Sequence, residues 1–176
     1  MVVVDEAYFE YVDERDYPDT ATWLERFPNL IVTRTFSKAY GLAGLRIGYA
    51  LSHPGVAGLL NRVRQPFNVN MVAQAAALAA LDDSAHLQES VRRNREGMQQ
   101  LETGFARLGL DWRPSAANFI AVDTGRSAAD VYGALLQQGV IVRPVGNYGM
   151  PNHLRVTVGR ADENARFLVA LEAVLT

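Results

Sequence analysis

Short apolar runs separated by polar loops fill the first third of the chain. Residues 2–4, 30–33 and 46–51 are rich in β-branched and other apolar side chains. A continuous apolar run of this length is typical of a strand that is buried on both faces. A helix is predicted between the first two runs, over residues 21–27, and it ends at Pro28. This βαβ order predicts parallel strands with helical crossovers.

Two helices of different character are predicted in the middle of the chain. Residues 71–81 are rich in alanine and almost entirely apolar, which predicts a buried helix. Residues 86–108 are amphipathic, because apolar side chains recur at near-helical spacing. Gly109 follows as the residue that ends this helix. The long helix is expected to join two domains, with their boundary near residues 70–85.

The final third of the chain has the pattern of a small α/β domain. Its predicted elements are, in order, a strand over 118–122, a helix over 128–138, strands over 140–145 and 154–158, and a helix over 161–175. The apolar run that opens the chain is expected to be a central strand, which needs neighbours on both sides. The sequence therefore predicts a chain that starts in the middle of a larger fold.

Composition narrows the possible functions. The chain has 176 residues and a formal net charge of -2, without the basic stripe of a nucleic-acid-binding protein. It has no cysteine, which excludes disulfides, thiol nucleophiles and cysteine metal ligands, and which fits a cytoplasmic protein. No apolar run approaches the roughly 20 residues of a membrane span. The histidines, at positions 53, 86 and 153, lack metal-ligand spacing, so no metal site is predicted.

A lysine directly follows the second predicted strand, in the sequence SKAYGLAGLR that begins at Ser37. A lysine at a strand end is a candidate for covalent chemistry with a carbonyl carbon, for which it must lose its proton. A nearby cation lowers the pKa of a lysine, and Arg46 is a candidate for that cation and for a phosphate ligand. The alternative is an ordinary surface lysine beside a loop that caps a helix. The spacing of the residues around Lys38 does not by itself exclude this alternative.

An acidic residue, Asp5, ends the first predicted strand, in the tetrad DEAY that runs to Tyr8. Open α/β sheets bind ligands at the carboxyl ends of their strands. A carboxylate there favours the protonated form of a pyridine nitrogen, because an opposite charge stabilises it. Tyr8 is a candidate donor to a phenolic oxygen of the same ring. A loop aspartate that caps a turn explains the tetrad equally well.

Two arginines interrupt the apolar strands predicted in the last third. Arg155 lies within one strand, and Arg143 precedes Pro144 near the end of another. A charge in an apolar setting needs a partner. A carboxylate bound through two parallel hydrogen bonds is one such partner. A structural ion pair with one of the 19 acidic residues is the alternative.

Three segments of the chain, in their order along the sequence, resemble the fold-type I aminotransferases that use pyridoxal 5'-phosphate (PLP). They are the motifs DEAY and SKAYGLAGLR and the segment 140–159. The narrower resemblance is to the histidinol-phosphate aminotransferases, and it covers essentially the whole chain. It implies an α/β fold that is the C-terminal part of such an enzyme. Residues 1–75 would be a parallel-sheet fragment of the large PLP-binding domain. Residues 76–176 would be the connecting helix and a small α/β C-terminal domain.

The resemblance also implies roles for individual residues in the cofactor site. Lys38 corresponds to the lysine that forms a Schiff base with PLP. Asp5 corresponds to the partner of the pyridine nitrogen, and Tyr8 to the partner of the phenolic oxygen. The candidates for binding the cofactor phosphate are Thr35, Ser37 and Arg46. The rest of the cofactor site belongs to the N-terminal half of these enzymes, which is absent here.

Substrate recognition follows from the same resemblance. Arg155 corresponds to the clamp on the amino-acid carboxylate, while Arg143 is a candidate for the substrate phosphate and Asn118 for the pocket lining. The implied reaction is transamination between histidinol phosphate and 2-oxoglutarate, which gives imidazole-acetol phosphate and glutamate in histidine biosynthesis. The implied state is a cytoplasmic homodimer with no nucleic-acid or membrane partner.

Other functions stay open at this point. Another type I enzyme, such as an aromatic or aspartate aminotransferase or a threonine-phosphate decarboxylase, would share Asp5, Tyr8, Lys38 and Arg46. A catalytically incomplete fragment that folds without PLP is the alternative from a different class.

Overall fold

A computed structural model describes all residues from 1 to 176. The chain forms two compact units, Met1–Val91 and Arg92–Thr176. The division lies inside a long helix, whereas the sequence places the domain boundary between residues 75 and 76. The preceding helix and the beginning of the long one therefore belong to the first unit.

The first unit contains a three-stranded sheet in the order β1-β2-β3. Its strands are β1 (Val2–Asp5), β2 (Leu30–Thr35) and β3 (Gly48–Ser52). β1 and β2 are parallel, as predicted, but β3 is antiparallel to β2. The prediction of a central strand buried on both faces is wrong for β1, which lies at the edge of this sheet with Val2 and Val3 exposed, because no strand of this chain pairs with its other side. The prediction of parallel strands is wrong for β3 because the connection over 36–47 contains only a short 3-10 turn and no crossover helix.

The helix predicted over 21–27 is reduced to a 3-10 turn, Thr20–Trp23. The Asp19 side chain caps this turn by accepting a hydrogen bond from the Ala21 N–H. Pro28 disfavours helical geometry at the residue before it, so a longer helix does not develop. A short crossover is nevertheless enough to bring β2 back parallel to β1.

Two helices complete the first unit, α1 (Pro54–Val63) and α2 (Met71–Asp82). The apolar pattern does not predict the first, although Pro54 is at a favoured helix start. The second has the predicted bounds but not the predicted burial. Only Ala73 and Ala77, four residues apart, are buried, whereas Leu78 is 67% exposed. The unit therefore covers one narrow stripe of α2 and leaves the rest of its apolar surface open.

The second unit packs helices against a four-stranded antiparallel sheet in the order β4-β5-β7-β6. Its elements are α3 (Ser84–Arg107, which begins in the first unit), β4 (Trp112–Arg113), β5 (Phe119–Asp123), α4 (Ala128–Gln137), β6 (Arg143–Pro144), β7 (His153–Thr157) and α5 (Ala161–Leu175). Fully buried side chains at its centre include Leu101, Phe105, Ile120, Leu135, Leu154 and Leu171. None of the helices of the chain has both the length and the apolar character needed to cross a membrane.

The bounds of most predicted elements of this unit are confirmed to within about two residues. The strand predicted over 140–145 is an exception, because only β6 forms there. The N–H of Val140 donates to the Leu135 carbonyl and so still belongs to the end of α4. Gly139 has a φ of 72°, the left-handed conformation that ends a helix. The chain therefore joins the sheet only at Arg143.

Close packing of α3 against α5 depends on Gly104. A Cβ atom at this position would lie 2.5 Å from both δ carbons of the buried Leu168. We expect Gly104→Ala to lower the free energy of unfolding by about 1 kcal/mol, because overpacking outweighs the gain in helix propensity. Gly133 in α4 is the matched control, because a Cβ atom there would meet no other atom within 4 Å. Gly133→Ala should stabilise the chain by up to about 1 kcal/mol. Urea unfolding measures both changes, and a stabilising Gly104→Ala would refute this role of Gly104.

Candidate functional site

Three of the predicted site residues follow the carboxyl ends of the parallel strands of the first sheet, and two of them, Lys38 and Tyr8, approach each other. Asp5 ends β1 and Lys38 follows the end of β2, and both strands run in the same direction. Tyr8 lies in the turn that leaves β1, and the Lys38 Nζ atom is 5.4 Å from the centroid of its ring. Lys38 and Tyr8, which are 30 residues apart in the sequence, are thus brought together beyond the carboxyl ends of parallel strands, and Asp5 ends one of these strands. This edge is the usual ligand site of such sheets.

The Asp5 carboxylate is held through one of its two oxygens. Its Oδ1 atom accepts hydrogen bonds from the Ala7 N–H at 3.2 Å and from the Thr33 hydroxyl at 3.3 Å. Asp5 itself is exposed at the sheet edge. The carboxylate is therefore oriented by its neighbours, while its Oδ2 atom makes no hydrogen bond within the protein.

The three phosphate candidates are linked around one loop. The Ser37 N–H donates to the Thr35 hydroxyl at 3.1 Å, and Arg46 Nη1 lies 3.5 Å from the Ser37 hydroxyl. The same Nη1 atom donates to the Ala43 carbonyl at 2.7 Å. Arg46 has a φ of 54°, a left-handed conformation that is uncommon for a residue with a side chain. The loop thus holds two hydroxyls and a guanidinium side by side.

A buried ion-pair network lies directly behind this edge. The Glu6 side chain is fully buried and accepts hydrogen bonds from the Thr20 hydroxyl at 2.6 Å and from Arg34 Nε at 2.9 Å. Arg34 also donates to Asp19 at 2.7 Å, and its guanidinium lies 3.7 Å from the centroid of the Phe9 ring. The network ties the end of β1, the Thr20–Trp23 turn and β2 to one another.

This network is not among the features predicted from the sequence, although the sequence contains a signal for it. Arg34 interrupts the apolar strand LIVTRT in the same way as Arg155 interrupts its own strand. Both charges lie in an apolar strand and both therefore need a partner. The partner of Arg34, Glu6, lies inside the DEAY tetrad but 28 residues away, so local spacing does not reveal the pair.

Glu10 is a second acidic side chain behind the site. Its Oε2 atom is buried and has no hydrogen-bond partner. Burial raises the pKa of Glu10, a backbone hydrogen bond and the charge of Arg34 act in the opposite direction, and the nearby charge of Glu6 adds to the upward shift. Burial also raises the pKa of Tyr40, and the charge of Glu10 adds to that shift. The ionised form of the Glu10 carboxylate is therefore less stable in the folded chain than in water.

The second unit places two predicted substrate residues directly opposite each other. Arg143 in β6 is the cross-strand partner of Arg155 in β7, so both side chains leave the same face of the sheet. The Arg155 guanidinium lies 4.0 Å from the centroid of the Phe119 ring, and neither arginine forms an ion pair within the chain. Asn118 precedes that ring at the start of β5, and its carbonyl accepts a hydrogen bond from the Val158 N–H.

Comparison with known proteins identifies the family. The family model for aminotransferase class I and II matches residues 1–171. The chain belongs to this family. Histidinol-phosphate aminotransferase 2 of Pseudomonas fluorescens Pf-5 is 64% identical over 175 residues, which are 99% of this chain and 47% of that protein. Histidinol-phosphate aminotransferase 1 of Nitrosococcus oceani is 61% identical over the same shares of the two chains.

A solved structure of the family shows the same fold. The crystal structure of histidinol-phosphate aminotransferase from Sinorhizobium meliloti, in complex with PLP, has a TM-score of 0.91 and 37% identity to this chain. The match covers 98% of this chain and 48% of that one. The predicted α/β fold of a fold-type I aminotransferase is thereby confirmed. The chain spans about half the length of the curated relatives it matches.

The buried ion pair makes a testable contribution to stability. We expect Arg34→Met to lower the free energy of unfolding by about 3 kcal/mol, because it leaves the Glu6 carboxylate buried without a cation. The matched control is Arg107→Met, which breaks the exposed pair with Glu172 and should change stability little. The double variant Arg34→Met/Glu6→Gln should recover part of the loss. Equal effects of the two single variants would contradict this role of Arg34.

Glu10 predicts a pH dependence with a defined sign. Its pKa is raised above 4.5 in the folded chain, so folding favours the protonated form. Ionisation therefore destabilises the fold as the pH rises above 4.5. We expect Glu10→Gln to increase the free energy of unfolding at pH 7 and to have no effect below pH 4. The exposed Glu25→Gln is the control and should have no effect at either pH. Urea unfolding at both pH values checks this, and a destabilised Glu10→Gln at pH 7 would count against it.

Proposed function

We propose that this chain supplies the C-terminal half of a PLP-dependent histidinol-phosphate aminotransferase. The observation that carries the proposal is the approach of the Lys38 Nζ atom to the Tyr8 ring at the sheet edge where Asp5 ends β1. Relatives that are 61% and 64% identical and bear this name support the choice of substrate. The proposed reaction transfers an amino group between histidinol phosphate and 2-oxoglutarate.

The donor groups at this edge fit the chemistry of PLP. A carboxylate with one oxygen free, on Asp5, suits a protonated ring nitrogen, and the Tyr8 phenol suits the phenolic oxygen. The Lys38 amine suits the aldehyde. The loop with Thr35, Ser37 and Arg46 offers the hydroxyls and the guanidinium that bind a phosphate. When bound, PLP supplies the electron sink that allows a substrate to lose its α-proton.

Lys38 has two tasks in this proposal. Its amine holds the cofactor covalently between turnovers, and once released it acts as the general base at the substrate Cα atom. Lys38 is also the only lysine of the chain, since the other 16 of its 17 basic residues are arginines. Covalent attachment of an aldehyde to a side chain of this sequence is therefore restricted to one position.

Asp5 acts on the charge of the ring nitrogen. Its carboxylate favours the protonated nitrogen, because the pair of opposite charges is more stable than the neutral ring beside an anion. Tyr8 adds a hydrogen-bond donor on the same edge. These two residues orient the ring, while Lys38 carries out the proton transfer.

The two opposed arginines are proposed to bind the anionic groups of the substrates. Arg155 would bind the carboxylate of glutamate or 2-oxoglutarate through its two-pronged guanidinium, which is oriented by the Phe119 ring. Arg143 is the candidate for the phosphate of histidinol phosphate, which has no carboxylate. Asn118 would line the pocket beside the ring. An anion between the two arginines would also offset their mutual repulsion.

A homodimer and a cytoplasmic location belong to the same proposal. The exposed apolar side chains on α1, α2 and the loop between them support an interface on the first unit. They include Leu59, Val63, Phe67, Met71, Val72 and Leu78. The molar mass of the active protein in sedimentation checks the dimer.

The proposal is tested by supplying an N-terminal half. We would join the N-terminal half of the Pseudomonas fluorescens relative, up to the matched region, to this chain. The fusion is expected to bind PLP and to transaminate histidinol phosphate. Lys38→Ala and the charge-preserving Lys38→Arg should each lower turnover by roughly 1,000-fold, since both remove the base. Borohydride reduction should add one pyridoxyl group to the peptide that contains Lys38.

The controls make the result decisive. The intact relative, assayed in parallel, establishes that the assay works. A folded fusion without transamination would refute the proposed function. Turnover that survives Lys38→Ala would refute the role of this lysine.

A further inference from the structure

Thr33 is the residue of β2 that lies directly opposite Asp5. Its hydroxyl donates to Asp5 Oδ1 at 3.3 Å, and the Ala7 N–H donates to the same oxygen at 3.2 Å. Two donors on one oxygen fix the rotation of a carboxylate, whereas a single donor allows it to turn. The contact with Thr33 therefore determines which way the Oδ2 atom of Asp5 points.

The strand context sets Thr33 apart from its neighbours. The three preceding residues of β2, Leu30, Ile31 and Val32, are apolar. Consecutive residues of a strand point to opposite faces, so Thr33 and Arg34 serve different partners. Arg34 binds the buried Glu6 on one face, whereas the hydroxyl of Thr33 bonds to Asp5 on the other. Thr33 thus lies outside the stabilising ion-pair network.

We propose that Thr33 is a positioning residue for Asp5, which it holds with the Oδ2 atom presented to the ring nitrogen of the cofactor. The inference rests on the proposed function, because it assigns Thr33 a role only through Asp5. It does not require Thr33 to touch the cofactor. The hydroxyl stabilises the ionised carboxylate by a hydrogen bond and restricts its rotation.

The test uses an isosteric variant and a conservative rescue in the PLP-loaded fusion. Thr33→Val replaces the hydroxyl with a methyl group and keeps the shape and the strand preference of the residue. We expect it to weaken PLP binding by about tenfold, the order of effect of losing a hydrogen bond to a charged group. Thr33→Ser restores the hydroxyl and should bind PLP with an affinity close to that of the parent. The urea midpoint of the cofactor-free protein should not fall in either variant.

A double-mutant cycle with Asp5→Ala separates positioning from a structural role. Asp5→Ala alone should weaken PLP binding, and Thr33→Val should then have no further effect, because its partner is gone. The dissociation constant of PLP is measured by titration of its absorbance in all four proteins.

Each outcome has a distinct meaning. If Asp5→Ala leaves PLP binding unchanged, the assignment of Asp5 in the proposed function is wrong. If Asp5→Ala weakens binding but Thr33→Val does not, only the role of Thr33 is overturned. If Thr33→Val weakens binding equally with and without Asp5, Thr33 does not act through Asp5 and the inference is again overturned.

Discussion

The parallel pairing of β1 with β2 is the constraint on which the candidate site depends. In this register Asp5 lies opposite Thr33, and the next residues, Glu6 and Arg34, form the buried ion pair. A slip by one residue would move each side chain to the opposite face of the sheet. It would also separate the fully buried Glu6 from its cation, which is a costly arrangement. The ion pair on one face therefore locks the register that presents Asp5 and Lys38 at the edge.

Elements whose signal is local could be predicted from the sequence, and elements set by distant contacts could not. The bounds of the helix over 161–175 and of the strand that begins at Val2 follow from short apolar patterns and agree with the structure. The predicted burial of that strand does not, because burial depends on a neighbouring strand. The direction of β3 depends on the path of the loop that precedes it, and the exposure of α2 depends on what else covers it. Neither property is encoded in the local spacing of apolar residues.

The same distinction applies to the site. Lys38, Asp5 and Tyr8 could be selected as candidates from the sequence because each lies at or just beyond a strand end, where parallel strands bring their termini together. The contacts of Glu6 and Thr33 could not be predicted, since each joins partners that lie 28 residues apart in the sequence. The sequence shows which side chains lie at a strand end, whereas the orientation of those side chains depends on the register between the strands.

The distribution of cations follows from what each kind of side chain can do. An arginine keeps its charge under all ordinary conditions and binds carboxylates and phosphates in a planar fork, but it does not act as a base or nucleophile at neutral pH. Of the 17 basic residues, all except Lys38 are arginines. Arg34 serves a structural pair, while Arg143 and Arg155 face each other across two strands without an internal anion. Two like charges held in this way weaken the bare sheet and favour an anionic ligand, since binding stabilises the state that it prefers. In the proposed function, covalent chemistry would therefore be restricted to the one lysine amine, and anion recognition would fall to guanidinium groups.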